Sequence, residues 1–298
     1  MRTTKRFTPQ VLARYERQGR GLGTYQDYSP WHQVSRGDPA SQGRSHLLYW
    51  GDRLHHLLSD LEWGAQLFGL MTPGVIDSTE QKPLSLDSDV HPLAAYTLRN
   101  AGGDFPGTLE LSRELGIKHP HVCAAGERKP WTMTTDVVLV LADEFQQMNM
   151  LAIAVKPRDW ALRKRTVQLL GLEREYWIRR GVPWLLITPD VWDKRVFLTL
   201  RRISIWSLSD PAPLRLMQLA RAIAFDRPWA SVTWVLERLE EQERCRHSCQ
   251  CALWQAVWVG DLPIDLSRGA RPQEPIRILS KDAFKEQNPV ASRRSAWI

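Results

Sequence analysis

Apolar positions along the chain recur with two different periods, and the way these alternate predicts an α/β core followed by a helical remainder. Between His55 and Phe68, Leu57, Leu58, Leu61, Ala65, Leu67 and Phe68 keep helical spacing while Ser59, Asp60, Glu62 and Gln66 occupy other angles, which predicts a helix carrying Glu62. After the Pro73-Gly74 break an extended segment starts at Val75 and ends by Pro83. There is room for a helix near 91 to 99, and Leu109 to Leu115 reads as a short helix stopped at Gly116, followed by a loop through His119, Pro120 and Pro130. Met133 to Leu141 has the composition of a buried strand, broken near its start by Asp136. Met148 to Val155 has the same character and delivers Lys156 at its end, and the short polar turn between the two runs predicts a hairpin. Residues 160 to 179 switch to helical period, Gly181 ends them, and Trp184 to Thr188 is a third apolar strand. Hairpin, helix, strand is the signature of an α/β layer.

The flanks read differently. Residues 1 to about 50 mix Arg and Lys with Gly, Pro, Ser and Tyr, an irregular arm with short helical pieces that suits either a solvated tail or a DNA contact. Beyond residue 188, Phe197 to Leu208 is mixed, helical patterns follow at 213–222, 227–241 and 249–257, and Leu262–Leu266 with Ile276–Ile278 suggest a small strand pair. Helices closed by a strand pair fit a winged-helix module, and the polar end from Lys281 onward reads as loosely held. The expected division is 1–188 and 189–298.

Length and composition narrow the picture. The 298 residues suit two ordinary domains or one large one. With 43% hydrophobic residues a core is affordable, yet no stretch approaches the roughly 20 apolar residues of a bilayer span, so no membrane partner is expected. The basic start Met1-Arg2-Thr3-Thr4-Lys5-Arg6 runs into polar Thr8-Pro9-Gln10 where an export signal would be apolar, and four cysteines are too few for a disulfide framework. A cytoplasmic chain with reduced thiols is expected. A net charge of +7, from 40 Lys+Arg against 33 Asp+Glu, permits nucleic acid as a partner.

Chemistry concentrates at Glu62, Asp136 and Lys156. Phosphodiester hydrolysis needs carboxylates to hold Mg²⁺ and a cation to steady the attacking water or the developing charge, and these three residues supply both. Two residues before Lys156, where a second carboxylate on the same strand face would serve best, stands Ala154. Glu80, Glu173 and Glu175 are available to fill that place. Surplus charge gathers beside Lys156 at Arg158, Arg163, Lys164, Arg165, Arg179 and Arg180, a face suited to the phosphate backbone of DNA.

In order along the chain stand Leu57-Leu58-Ser59-Asp60-Leu61-Glu62, Glu80-Gln81-Lys82-Pro83-Leu84, Leu115-Gly116-Ile117-Lys118-His119-Pro120, Met133-Thr134-Thr135-Asp136, Ala154-Val155-Lys156-Pro157, and Leu172-Glu173-Arg174-Glu175-Tyr176-Trp177 with Gly181-Val182-Pro183-Trp184. In these blocks, across about residues 43 to 188, the chain resembles the TnsA family, endonuclease subunits of heteromeric bacterial transposases. The resemblance implies a restriction-endonuclease-like core, with a mixed sheet flanked by helices. It implies Mg²⁺ as cofactor, with Mn²⁺ able to substitute, and nicking of the non-transferred strand on its 5′ side at the transposon ends during cut-and-paste transposition. It carries Glu62, Asp136 and Lys156 over as catalytic residues, the first two as metal ligands. Its implied partners are double-stranded DNA at transposon ends, a DDE-type, TnsB-like transposase and an AAA+, TnsC-like regulator, which places the protein at the nucleoid when bound. The family usually has Gln or Glu where this chain has Ala154. That departure supports an alternative, a non-catalytic DNA-binding or architectural subunit.

The remaining candidates are weaker. His119 could touch phosphate, although the His119-Pro120 pair also reads as a rigid turn. Cys245, His247, Cys249 and Cys251 crowd together, but without the separate second ligand pair of a zinc finger they read as helix-packing cysteines.

Overall fold

A computed structural model describes residues 7–38, 40, 44–97 and 102–297. The chain forms two compact units: Met1–Gln66 with Gly74–Thr188 and Ser295–Ile298, and Leu67–Pro73 with Pro189–Arg294. No described helix is long and apolar enough to cross a membrane.

Helix α1 (Pro9–Arg17) opens the first unit and is followed by the hairpin of β1 (His46–Trp50) and β2 (Arg53–Leu57), helix α2 (Asp60–Leu70) and strand β3 (Val75–Pro83). Helix α3 (Thr108–Glu114) then precedes a second hairpin, β4 (His121–Ala124) and β5 (Glu127–Pro130). Strands β6 (Thr134–Ala142) and β7 (Met148–Val155), helices α4 (Arg158–Ala161) and α5 (Lys164–Arg179) and strand β8 (Trp184–Ile187) complete it. The central sheet has the order β3-β6-β7-β8, antiparallel except for the parallel β7–β8 pair, so it is a mixed sheet. A parallel neighbour requires a crossover, which α4 and α5 provide. Val138 and Val140 of β6 and Met150, Ala152 and Ala154 of β7 pack with Leu170, Leu172, Tyr176 and Trp177 of α5. Because side chains alternate along a strand, Asp136 and Lys156 fall on this same face, just past its apolar part.

Several expectations change at this level. The helix that carries Glu62 begins at Asp60, and His55 and His56 lie on β2, whose pairing with β1 closes through Gly51 and Asp52, both at positive φ. Residues 121–130 form the β4–β5 hairpin where a loop is expected, turning at Ala125 and Gly126 with φ of 50° and 81°. The long helix of 160–179 breaks at Leu162-Arg163 into α4 and α5. Near 91–99 there is a single 3₁₀ turn, Pro92–Ala95, and residues 98 and 99 lie outside the described residues. The arm is packed where it is described: Leu12, Tyr15 and Trp31 form a buried cluster with Val122. Its basic start, residues 1–6, lies outside the described residues.

The second unit is helical: α6 (Lys194–Ser207), α7 (Leu214–Asp226), α8 (Val232–Glu240), α9 (Arg246–Trp258) and α10 (Lys281–Glu286). The mixed stretch at 197–208 is thus a helix, N-capped by the Asp193 side chain and burying Val196, Leu200 and Ile203 on one face. The anticipated strand pair is reduced to isolated bridges, Ile264 with Ile278 and Ser231 with Pro275. Cys249 and Cys251 are buried on α9, while Cys245 is exposed at its N-cap. The polar end is anchored. The Ala296 N–H donates to the Leu186 carbonyl at 2.8 Å, the Leu186 N–H donates to Ser295 Oγ at 3.0 Å, and the Trp297 ring meets Trp184 edge-on, with centroids 5.5 Å apart.

Candidate active site

Glu62 is held by the chain that precedes its helix. The Glu62 N–H donates to Ser59 Oγ at 3.2 Å, while its own carboxylate accepts Ser59 Oγ–H at 3.1 Å and the Leu58 N–H at 2.9 Å, in the manner of a capping box. Gln81 Nε2 donates to the same carboxylate at 3.1 Å. Burial, followed by the negative charge of Asp136, raises Glu62 to about 7 despite these donors.

Asp136 Oδ2 accepts the Val155 N–H at 2.6 Å and the Lys156 ammonium at 2.7 Å, and Lys156 also donates to the Val155 carbonyl at 2.9 Å. Among the described residues no hydrogen bond reaches Asp136 Oδ1. Burial alone would lower the Lys156 pKa, but Asp136, Glu173 and Glu62 outweigh it, so the ammonium is favoured. Glu173 enters from α5. Its Oε1 accepts Thr135 Oγ1–H at 2.8 Å and Trp184 Nε1–H at 3.3 Å, and burial raises it to about 7, with Lys156 opposing and Asp136 adding to the rise. Asp136 thus contacts the Lys156 ammonium directly, while Glu62 and Glu173 act on it through their charge and are themselves raised toward neutrality. Ala154 is fully buried in the apolar cluster, and the additional carboxylate comes from a helix instead of from β7.

This donor set suits Mg²⁺, which is commonly bound through one or two carboxylates, with waters and substrate phosphate completing its octahedron. Glu62 and Asp136 supply such carboxylates, and Glu173 can add to them. A ready-made cage is absent: among the described residues no three His, Cys, Asp or Glu side chains group closely enough to hold a metal ion.

Two residues at this site carry no chemical signal in the sequence. Gln81 lies between the pairs Glu80–Val137 and Lys82–Thr135, opposite Asp136, at a φ of 50°. Its side chain bridges Glu62 and Thr134, whose Oγ1–H it accepts at 3.2 Å. A non-glycine residue in the left-handed region costs on the order of 1 kcal/mol or more, and here it aims a carboxamide at the Glu62 carboxylate. His32, on the arm, stacks on Trp131 at 5.7 Å. Burial lowers it to about 4, with Asp38 opposing, Arg20 adding and the charge of Asp136 also opposing.

Other candidates are engaged elsewhere. Glu80 is buried in an ion pair with Arg53 and His55, at 2.7 and 2.9 Å. Burial would raise it, but these partners pull it down to about 2, so it is already neutralised and is not a spare ligand. His119 bonds the Pro120 carbonyl and Thr108 Oγ1, as a turn residue does. Arg180 is buried, donates to the carbonyls of Pro106 and Tyr176 and lies 3.5 Å over the Tyr176 ring, so it does not belong to an exposed basic face. Arg179 is exposed but paired with Glu114 and Glu175. Arg158, Arg163, Lys164 and Arg165 cluster at the other end of α5, where Arg165 donates to the Lys118 carbonyl at 2.5 Å.

The family model described as TnsA-like endonuclease N terminal matches residues 90–189, a span holding Asp136, Lys156 and Glu173. The Escherichia coli protein named Transposon Tn7 transposition protein TnsA is 35% identical over 185 residues, 61% of this chain and 58% of that protein. The alignment thus spans less than two thirds of that relative's length. Over these spans the chain is similar to TnsA endonucleases.

Proposed function

We propose that the protein is the Mg²⁺-dependent DNA endonuclease subunit of a heteromeric transposase, nicking the non-transferred strand on the 5′ side of transposon ends, on a restriction-endonuclease-like core. The observation that carries this reading is the Asp136–Lys156 contact of 2.7 Å, within the charge influence of Glu62 and Glu173, in a chain whose residues 90–189 match a TnsA-like endonuclease domain. Glu62 and Asp136 would hold Mg²⁺, with Glu173 in support. Held there, Mg²⁺ would supply Lewis-acid polarisation of the scissile phosphate and a more acidic attacking water. Lys156, kept cationic by its carboxylate neighbours, orients that water and offsets charge that builds on the phosphate oxygens. Gln81 keeps Glu62 turned toward the site, and Glu173, where it is free of the ion, provides a proton acceptor near neutral pH. Arg163, Lys164 and Arg165 hold the flanking backbone. The helical unit serves as a contact module for DNA, a DDE-type transposase or an AAA+ regulator.

The test is to combine the protein with its cognate transposase and a duplex carrying the transposon end, with Mg²⁺, Mn²⁺ or chelator, and map breaks on each strand. Breaks on the 5′ side of the end that require the metal and leave 5′-phosphate support the proposal. Binding without any break supports an architectural subunit instead, the reading that Ala154 favours.

A further inference from the structure

The segment that follows Lys156 holds a feature that hydrolysis does not use. Trp160 is 53% exposed and Leu162 75% exposed, while Ala161 between them packs against the core. Single exposed apolar residues are ordinary. Here two flank one inward residue within a basic stretch, and the Arg163 guanidinium lies over the Trp160 ring at 5.1 Å.

Trp160 is four residues from Lys156, so the chain separates them by at most about 14 Å, and the turn of α4 shortens that. Bases along one strand are spaced about 3.4 Å, so the pair lies within a few base steps of a phosphate at Lys156. The carboxylates that would receive that phosphate are recessed: Glu62 is 9% and Glu173 4% exposed. A straight duplex presents its phosphates on a convex surface, and drawing one inward requires bending or local unstacking. Apolar wedges inserted between base steps do this, with basic neighbours holding the backbone on either side.

We propose that Trp160 and Leu162 form a wedge that enters double-stranded DNA beside the cut site and unstacks a base step, so that the scissile phosphate reaches the recessed carboxylates. The basic flank favours DNA over a partner subunit as the occupant. The proposal rests on the nuclease reading for its purpose, but its test needs no cleavage.

Full-length wild-type protein and the variant Trp160→Ala/Leu162→Ala are titrated, in chelator, onto a short duplex carrying a 2-aminopurine reporter and onto the same duplex with one mismatch. Wild type should raise the reporter fluorescence on binding. The double variant should lose most of that rise and bind the intact duplex about tenfold more weakly, while holding the mismatched one within about twofold, because there the unstacking is already done. Matching thermal unfolding of the two proteins checks the fold. A full rise with the variant, no rise or no binding with wild type, or equal weakening on both duplexes overturns the wedge. So does an unchanged rise accompanied by lost binding of the purified transposase subunit, which would assign the surface to that partner. None of these results bears on whether Asp136 and its neighbours cut DNA.

Discussion

Lys156 Nζ stands 2.7 Å from Asp136 Oδ2, and the same oxygen takes the backbone N–H of Val155 at 2.6 Å. A backbone N–H and a strand-end side chain thus converge on one carboxylate oxygen, while among the described residues no hydrogen bond reaches Oδ1. Removing the ammonium leaves Asp136 beside Glu62 and Glu173 without its counter-charge. Lys156→Met should therefore lower the stability of the metal-free protein by about 1–3 kcal/mol, with a smaller loss in Mg²⁺, as measured by urea unfolding. A loss that is the same with and without Mg²⁺ would mean that the cation does not bind beside Lys156.

The raised carboxyl groups make a pH prediction. Glu62 rises from its ordinary 4.5 to about 7. A group raised in the folded state binds more protons there than when unfolded, so its contribution to stability is present at low pH and is lost as pH climbs through this window. In chelator, Glu62→Gln should gain stability relative to wild type from about pH 4.5 to about 7 and then level off. Mg²⁺ affinity of wild type should strengthen over the same range, by up to about tenfold per pH unit for each proton released. A flat difference curve would mean that Glu62 is not held in this environment.

Gln81 separates backbone strain from side-chain function. Glycine tolerates a φ of 50°, alanine does not, and neither can donate to Glu62. Gln81→Gly should be about 1 kcal/mol more stable than Gln81→Ala. Both should lose about 10–100-fold in Mg²⁺ affinity or nicking, as loss of an outer partner of a metal ligand does. Retention of wild-type affinity in both would leave Gln81 a purely structural residue.

The anchored end reaches the site through one aromatic neighbour. Trp297 packs on Trp184, whose indole N–H donates to Glu173. Trp297→Ala should cost about 2 kcal/mol of stability and weaken Mg²⁺ binding, whereas Trp297→Phe should restore most of both. Binding that stays intact in a clearly destabilised Trp297→Ala variant would confine the end to a packing role.

Much of the centre was legible because its signals are local. The β6 and β7 runs are apolar and β-branched, so the hairpin, Asp136 near its start and Lys156 at its end follow from composition and one polar turn. The beginning of α2 was misread because Leu57 and Leu58 fall on the helical spacing of Leu61 and Ala65, while the pairing of β2 with β1 is non-local. Helix α6 was obscured by Arg201 and Arg202 beside its buried stripe. Glu80 and Glu173 are alike as isolated letters. Arg53 and His55 hold the first, and α5 brings the second within the charge influence of Lys156, so only tertiary structure separates them. Gln81 is an ordinary strand glutamine until its φ and its bond to Glu62 are known.

The most direct measurement is strand-resolved break mapping on end-containing DNA, with cognate transposase and Mg²⁺, for wild type, Glu62→Ala, Asp136→Ala and Lys156→Ala. The account predicts metal-dependent breaks with wild type, and at least about a hundredfold fewer with each variant while DNA binding persists. Breaks that continue at the wild-type rate in all three variants would contradict it.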